Sequence, residues 1–371
     1  MTSHYALALA RTRAAMQLAD VTLLLIDHGE LLAWLTGYTV SETCYRACLV
    51  PLEGEPWMVL RQLDEAPCRA LSNLNDIVTY DDHQDPYQAV ADSLSQRGYG
   101  HACIGTDFNS YGMTVHNWQQ LCQRLPGVHW QDMTGISDRL RSVKFTDELE
   151  ALRQAAHIAD DAMRAIAAQS ASGWRVRDVS ALAAQIFLHN GADSGETGPI
   201  VCAGGDNGFL HASGHDHHLT AGDILHVELI PKVRHYSARL MRPFLIGPPT
   251  SEHRQCAEQL IQFQNAQIAA MKPGVNASDV DALLRQAVLD AGLREQYGNV
   301  TGYALGLYTR TPRPSDFSRC FTPTAHWPLE ENMVFHMYVS ARSLAFSESV
   351  VVTPQGGQRL SQLPRHLLLL P

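Results

Sequence analysis

The chain has 371 residues, of which 45% are hydrophobic and 18% charged, and its formal net charge is −10. That length exceeds one typical domain and predicts two. An acidic surface repels a phosphate backbone, so nucleic acid is not an expected partner, although a local cationic pocket for a small anion is compatible with the balance.

The N-terminal stretch MTSHYALALARTRAAMQ lacks a basic start followed by an apolar run and a cleavage site. No apolar stretch approaches the roughly 20 residues needed to span a bilayer. Eight cysteines are spread along the chain without a paired framework, the pattern of reduced, buried thiols. The expectation is a cytoplasmic protein with no membrane partner.

Residues 5–18 read as a helix and 21–27 (VTLLLID) as a buried strand. ACLVPL and PWMVLR read as further strands around a turn at Gly54 and Pro56. DPYQAVADSLSQRGYG is a helix stopped by glycine, and ACIGTD is another strand. This alternation predicts a small α/β domain over residues 1–143. A second domain, 144–371, opens on the long amphipathic helix of KFTDELEALRQAAHIAD. Thr146 is its expected N-cap, and Glu148 and Glu150 suit its first turns. Further helices are expected near 178–190, 251–271 and 278–292. A hairpin is expected within AGDILHVELIPKVRHYSARLMRPFLIG. NMVFHMYVSA and LAFSESVVVT then read as two strands before a PQGG turn.

Glu228 stands mid-strand in an apolar run with His226 on the same face. A mid-strand glutamate is rarely buried without a partner or a task. Its partner across the hairpin would be Arg239 or Arg242, and an arginine there would keep the carboxylate ionised. The stretch 211–218 (HASGHDHH) is rich in histidine, and such clusters can bind zinc. His215, His217 and His218 read as solvent-facing loop residues, so no metal site is expected there.

Taken in order, TGY near Gly37, the KFTDELEALRQAAHIAD helix, the hairpin, TGYALGLYT, LEENMVFHMY and SESVVVTPQGGQRLSQLPR resemble the creatinase/aminopeptidase P family. The likeness covers essentially the whole chain. It implies a creatinase-type N-terminal α/β domain followed by a C-terminal pita-bread domain, with a pseudo-symmetric pair of αββ units. Metallopeptidases of that family hold two metal ions with two aspartates, a histidine and two glutamates. The corresponding positions here carry Glu228, Arg239, Tyr303 and Tyr338, with the last near Ala345 or, with a small gap, at Ser347 or Glu348. A guanidinium beside a cation is directly repulsive. Neither a metal ion nor another cofactor is therefore expected.

Within the family the chain resembles the metal-independent, ectoine hydrolase-like branch. The resemblance is carried by Glu228, Tyr236, Ala238, Arg242, GYALGL, Phe335–His336 and Ser347–Glu348–Ser349. Creatinase, also metal-free, is matched at His211 but not at its catalytic carboxylate, where Met241 stands. The resemblance implies a hydrolase of C–N bonds in a small polar cyclic amide, amidine or guanidino compound. Glu228 would be nucleophile or general base and His211 the proton shuttle. Arg239, Tyr303, Tyr338, His336, Tyr236, Arg242 and Glu348 are the candidate substrate contacts, with packing the rival reading for both tyrosines. The arginine-bearing loop after GYALGL and the missing acid near Ala345 point to a substrate related to ectoine rather than necessarily ectoine itself. An inactive or non-hydrolytic protein on the same scaffold, and an Xaa-Pro metallopeptidase, are the competing readings. The resemblance also implies a homodimer in which the N-terminal domain of one subunit, through residues such as Arg46 and Arg61, covers the partner's site.

Overall fold

The computed structural model describes residues 4–39, 43–309 and 318–371. The arginine-bearing stretch 310–317 and the segment 40–42 lie outside the described residues. The chain forms two compact units, Met1–Arg141 and Ser142–Pro371. Among the described residues no helix is long and apolar enough to cross a membrane.

The first unit is built on one mixed sheet. Its strands are β1 (Leu23–Ile26), β2 (Ala47–Pro51), β3 (Trp57–Arg61), β4 (Asp76–Tyr80), β5 (Cys103–Thr106) and β6 (His129–Asp132), in spatial order 4-3-2-1-5-6. The apolar run of β1 is buried on both faces, as its unbroken hydrophobic sequence requires. Helices α1 (His4–Leu18), α2 (Gly29–Thr36), α3 (Glu65–Leu71), α4 (Pro86–Gln96), α5 (Val115–Arg124) and α6 (Ile136–Arg141) complete the unit. Of the two arginines singled out for an interface, Arg61 donates to Asp82 within its own unit (3.0 and 2.9 Å). Arg46 is buried, where its charge acts on Asp27.

The second unit opens on α7 (Thr146–Gln169). Its N-cap is Phe145 rather than the expected Thr146, which is the first helical residue. The end is closed by a reach-back: the Phe145 N–H donates to Glu148 Oε2 at 2.7 Å. The buried Glu148 carboxylate thus supplies the reach-back half of a capping box, although phenylalanine has no acceptor for the other half.

After α8 (Val176–His189) come β7 (Ile200–Cys202), β8 (Ile224–Leu229), the two-residue strands β9 (Lys232–Val233) and β10 (Tyr236–Ser237), and β11 (Leu240–Ile246). Helices α9 (Ser251–Ala269) and α10 (Ala277–Asp290) follow. Then come β12 (Gly302–Ala304), β13 (Cys320–Phe321), β14 (Val334–Ala341), β15 (Leu344–Thr353), β16 (Gly356–Arg359) and β17 (Leu368–Leu370). They form a four-stranded sheet, 17-11-8-7, a five-stranded sheet, 13-12-14-15-16, and the separate pair 10-9.

Strand alternation settles which side chains go where. Leu225, Val227 and Leu229 of β8, with Leu240, Phe244 and Ile246 of β11, pack against α7 and α8. Phe335 and Met337, then Val339 and Ala341 of β14, pack with residues of α9 and α10. The intervening residues, His226 and Glu228 on β8 and His336 and Tyr338 on β14, therefore face away from the helices. The glycine before Tyr303 is needed at this point. A Cβ at Gly302 would stand 2.9 Å from the His336 carbonyl oxygen, too close for any side chain between β12 and β14.

Candidate active site

Glu228 projects from β8 and Arg239 stands just before β11, so the hairpin register brings the two together. Arg239 Nη1 donates to Glu228 Oε1 at 3.2 Å and to the Tyr303 hydroxyl at 2.9 Å. Its guanidinium also lies over the Tyr303 ring, 5.4 Å from the centroid. The Arg239 and Glu228 side chains are only 15% and 4% exposed, so water screens the pair little. Burial raises the Glu228 carboxyl above its ordinary value, while the charge and hydrogen bond of Arg239 and the charge of His211 pull it back down.

The arginine is held by its backbone. Its N–H donates to Ser349 Oγ (2.8 Å), and that hydroxyl donates to its carbonyl (3.0 Å). Ser347 Oγ accepts from the Met241 N–H in the same way (2.8 Å). The two serines thus tie β15 to β11 and set the position of Arg239.

Three aromatic rings stand beside the ion pair. Tyr303 meets His336 edge-on at 5.0 Å and Tyr338 at 6.0 Å, and His336 stacks on Tyr338 at 5.4 Å. The Tyr338 hydroxyl accepts from Asn299 Nδ2 at 3.2 Å, and Asn299 Oδ1 accepts from Arg294 at 3.0 Å. Tyr338 therefore keeps its own proton to donate, the more so because burial raises its phenol above the usual range.

His226 and His336 are fully buried, and neither ring nitrogen of either has a hydrogen-bond partner among the described residues. Burial pushes His226 down to about 3 and His336 well below its ordinary value, so both are neutral imidazoles at pH 7. Each can donate one hydrogen bond and accept another. Buried polar atoms in that state suit a polar ligand. His226 was foreseeable from ILHVEL, where it stands two residues before Glu228; its contact with Phe209 (ring distance 5.0 Å) was not.

The expected site residues divide. Glu228, Arg239, Tyr303, Tyr338 and His336 come together. His211, at the end of the 3-10 turn Gly208–His211, is exposed, and its charge favours ionised Glu228 although no hydrogen bond joins them. Arg242 and Glu348 do not join the group. They are fully buried and paired with each other at 2.7 Å. Glu348 is also approached by Arg359 and Arg365. The reason is parity: Arg242 shares a face of β11 with the core residues Leu240 and Phe244, and Glu348 a face of β15 with Phe346 and Val350. Tyr236 is likewise committed elsewhere, donating to Glu148 Oε1 at 3.0 Å.

For the last of the metal-ligand positions the strand register distinguishes the three alternatives. The residue directly opposite Tyr338 is Ser347, whereas Ala345 lies opposite Ser340. Ser347 therefore lies on the face of Tyr338 and directly across from it, which favours Ser347 among the three. Glu348 points to the other side.

A small α/β domain followed by two helix-backed sheets, with a polar set on the inner faces of their strands, defines a pita-bread hydrolase. The chain belongs to metallopeptidase family M24, whose pattern matches residues 150–354, with the creatinase/prolidase N-terminal domain matching 9–143. It is 25% identical over 391 residues to the ectoine hydrolase of Halomonas elongata, covering 98% of this chain and 97% of that one. It is 26% identical over 235 residues to the Xaa-Pro dipeptidase of Pyrococcus furiosus, covering 62% of this chain and 66% of that one. The crystal structure of dipeptidase PepE from Mycobacterium ulcerans matches with a TM-score of 0.82 and 27% identity, covering 99% of this chain and 98% of that one.

Proposed function

We propose that the protein hydrolyses a C–N bond in a small polar cyclic amide, amidine or guanidino compound without a metal ion. The observation that carries this reading is the Arg239 guanidinium in hydrogen-bond contact with both Glu228 and Tyr303. Two divalent ions need several carboxylate oxygens. The five positions supply Glu228, Arg239, Tyr303, Tyr338 and Ser347, which is one carboxylate and one fixed positive charge, so the residues do not fit a metal pair. The likeness to an ectoine hydrolase over nearly the full length of both chains agrees with this reading.

Glu228 acts in one of two ways. It adds a carboxylate oxygen to the sp2 carbon, expels the nitrogen and is released by water. Alternatively it takes a proton from the water that attacks. In either case the departing nitrogen must gain a proton, which His211 delivers. Arg239 opposes the effect of burial by favouring the ionised form of Glu228, and it attracts an anionic group of the substrate. The hydroxyl of Tyr338 and the neutral rings of His226 and His336 supply the remaining polar contacts. The working unit is a homodimer in the cytoplasm, with the N-terminal domain of one subunit over the site of its partner.

The test treats the purified protein with chelator and follows ectoine, related cyclic amidines and an Xaa-Pro dipeptide by mass spectrometry, with Glu228→Gln as control. Turnover of an amidine that survives chelation and vanishes in the variant supports the reading. A covalent adduct on Glu228 would identify it as the nucleophile. Dipeptide cleavage that needs added manganese or zinc would overturn it.

A further inference from the structure

A second cluster of donor groups lies in the segment that joins β7 to β8. Cys202 is the last residue of β7, Asp223 immediately precedes β8, and His217 comes from the returning half of the loop between them. One donor atom from each lies within 4.8 Å of the other two. Among the described residues this is the single group of three histidine, cysteine or acidic side chains so close together, and it shares no member with the Glu228 site.

Each donor is placed by contacts of its own. The β7–β8 ladder holds Cys202 opposite Leu225, and the Ala203 N–H donates to the Ile224 carbonyl at 2.8 Å. Asp223 Oδ2 accepts from the N–H and the hydroxyl of Thr220, at 2.8 and 3.1 Å. The His217 carbonyl accepts from the Val176 N–H at 3.0 Å, which docks the loop on the start of α8. His217 Nε2 lies 2.8 Å from Asp223 Oδ2. The ladder, Thr220 and Val176 contacts are of the outer kind that orients ligands around an ion, whereas the His217–Asp223 hydrogen bond joins two of the proposed ligands and would be replaced on binding. The cluster is partly open: His217 is exposed, and Asp223 and Cys202 are half-buried, which provides an entry path.

The chemistry of the set selects its ligand. One thiol, one imidazole and one carboxylate suit a borderline ion of the zinc class in tetrahedral coordination with water as fourth ligand. Hard ions that prefer oxygen alone do not suit it. The loop closed by these three residues carries Phe209, which packs on His226, and His211.

We propose that Cys202, His217 and Asp223 bind one zinc-class ion that closes the base of the loop carrying His211. Binding would convert the Cys202 thiol to a thiolate and release one proton to solvent, with no change of oxidation state. The proposal stands apart from the reading of the Glu228 site and does not depend on it.

The test uses the full-length protein, stripped with chelator and titrated with cobalt(II) and then zinc alone. Expected are about one equivalent of bound ion, proton release on binding, and a thiolate-to-cobalt charge-transfer band that zinc bleaches. Cys202→Ser should abolish the band, and Cys202→Ser and His217→Ala should each weaken zinc binding by at least about tenfold. Glu228→Gln should leave the band intact. In the unmodified protein, zinc should protect Cys202 from alkylation, read by peptide mapping, so the result does not depend on any variant folding. Absence of the band, unprotected Cys202, or zinc uptake that is equal in a folded Cys202→Ser protein would overturn the proposal. The last result would assign the binding to the exposed histidines of 211–218.

Discussion

Replacing Arg239 with glutamine removes the charge that faces Glu228 while keeping a hydrogen-bonding side chain. At the observed 3.2 Å, two unit charges attract by about 5 kcal/mol at an effective dielectric constant of 20. Desolvation of both groups opposes this, so the net loss is smaller, and breaking a buried pair costs on the order of 3–5 kcal/mol. The other consequence is on protonation. An opposite charge in contact lowers a carboxyl by about 1–3 pKa units, and burial already holds Glu228 above its ordinary value. Without Arg239 the folded-state pKa rises further.

The sign follows from linkage. A carboxyl raised in the folded state binds a proton that the unfolded chain has released, so stability falls as pH rises from the unfolded to the folded pKa. Arg239→Gln should therefore lose more stability at pH 8 than at pH 5, and the acid limb of its turnover profile should move to higher pH. For a domain of this size each kcal/mol shifts Tm by about 2–4 °C. Calorimetry at the two pH values, beside the pH dependence of kcat, provides the assay. A variant with wild-type Tm at both values and an unmoved acid limb would refute the argument, because Glu228 would then not be depending on Arg239 for its charge.

Glu228→Gln should lower turnover by about 10²–10⁴-fold, the range for loss of a general base, and should also lower Tm, since it leaves the largely buried Arg239 guanidinium without its anion. Arg242→Met should behave differently. It removes the nearest of the three arginines around the fully buried Glu348 and the donor to the Met241 and Ser347 carbonyls, and should destabilise by about 1–3 kcal/mol, while the folded fraction keeps its specific activity. The ring nitrogens of His226, buried and pushed down to about 3, should show no titration by NMR between pH 5 and 8, whereas a charged ring in that window would contradict the described environment. Sedimentation should report a dimer, and a monomer retaining full activity would exclude a site completed by the partner.

Much of this protein was legible in its residues. The alternation in ILHVEL places His226 and Glu228 on one face, and the hairpin offered Arg239 or Arg242 as the partner of Glu228, of which the structure pairs Arg239. The long helix, the hairpin and the two C-terminal strands lie where their patterns predict, because periodicity is a property of the chain alone. The cap of α7 was misread because threonine is a good cap in isolation, while the buried Glu148 closes the end from inside the helix.

What the chain could not announce was which face of each strand meets which neighbour. SES offers one acid between two hydroxyls, and residue type favours the acid for the site. The register of β14 and β15 sends Ser347 and Ser349 to the ties with β11 and turns Glu348 into the helix-side core. The same parity separates Arg239, just before β11, from Arg242 within it, two arginines three residues apart with different tasks. Cys202, His217 and Asp223 are neighbours only because a loop returns to the ladder it left. Period along a strand is encoded locally. The identity of the opposite face depends on pairings between segments as much as a hundred residues apart, and those the tertiary structure alone decides.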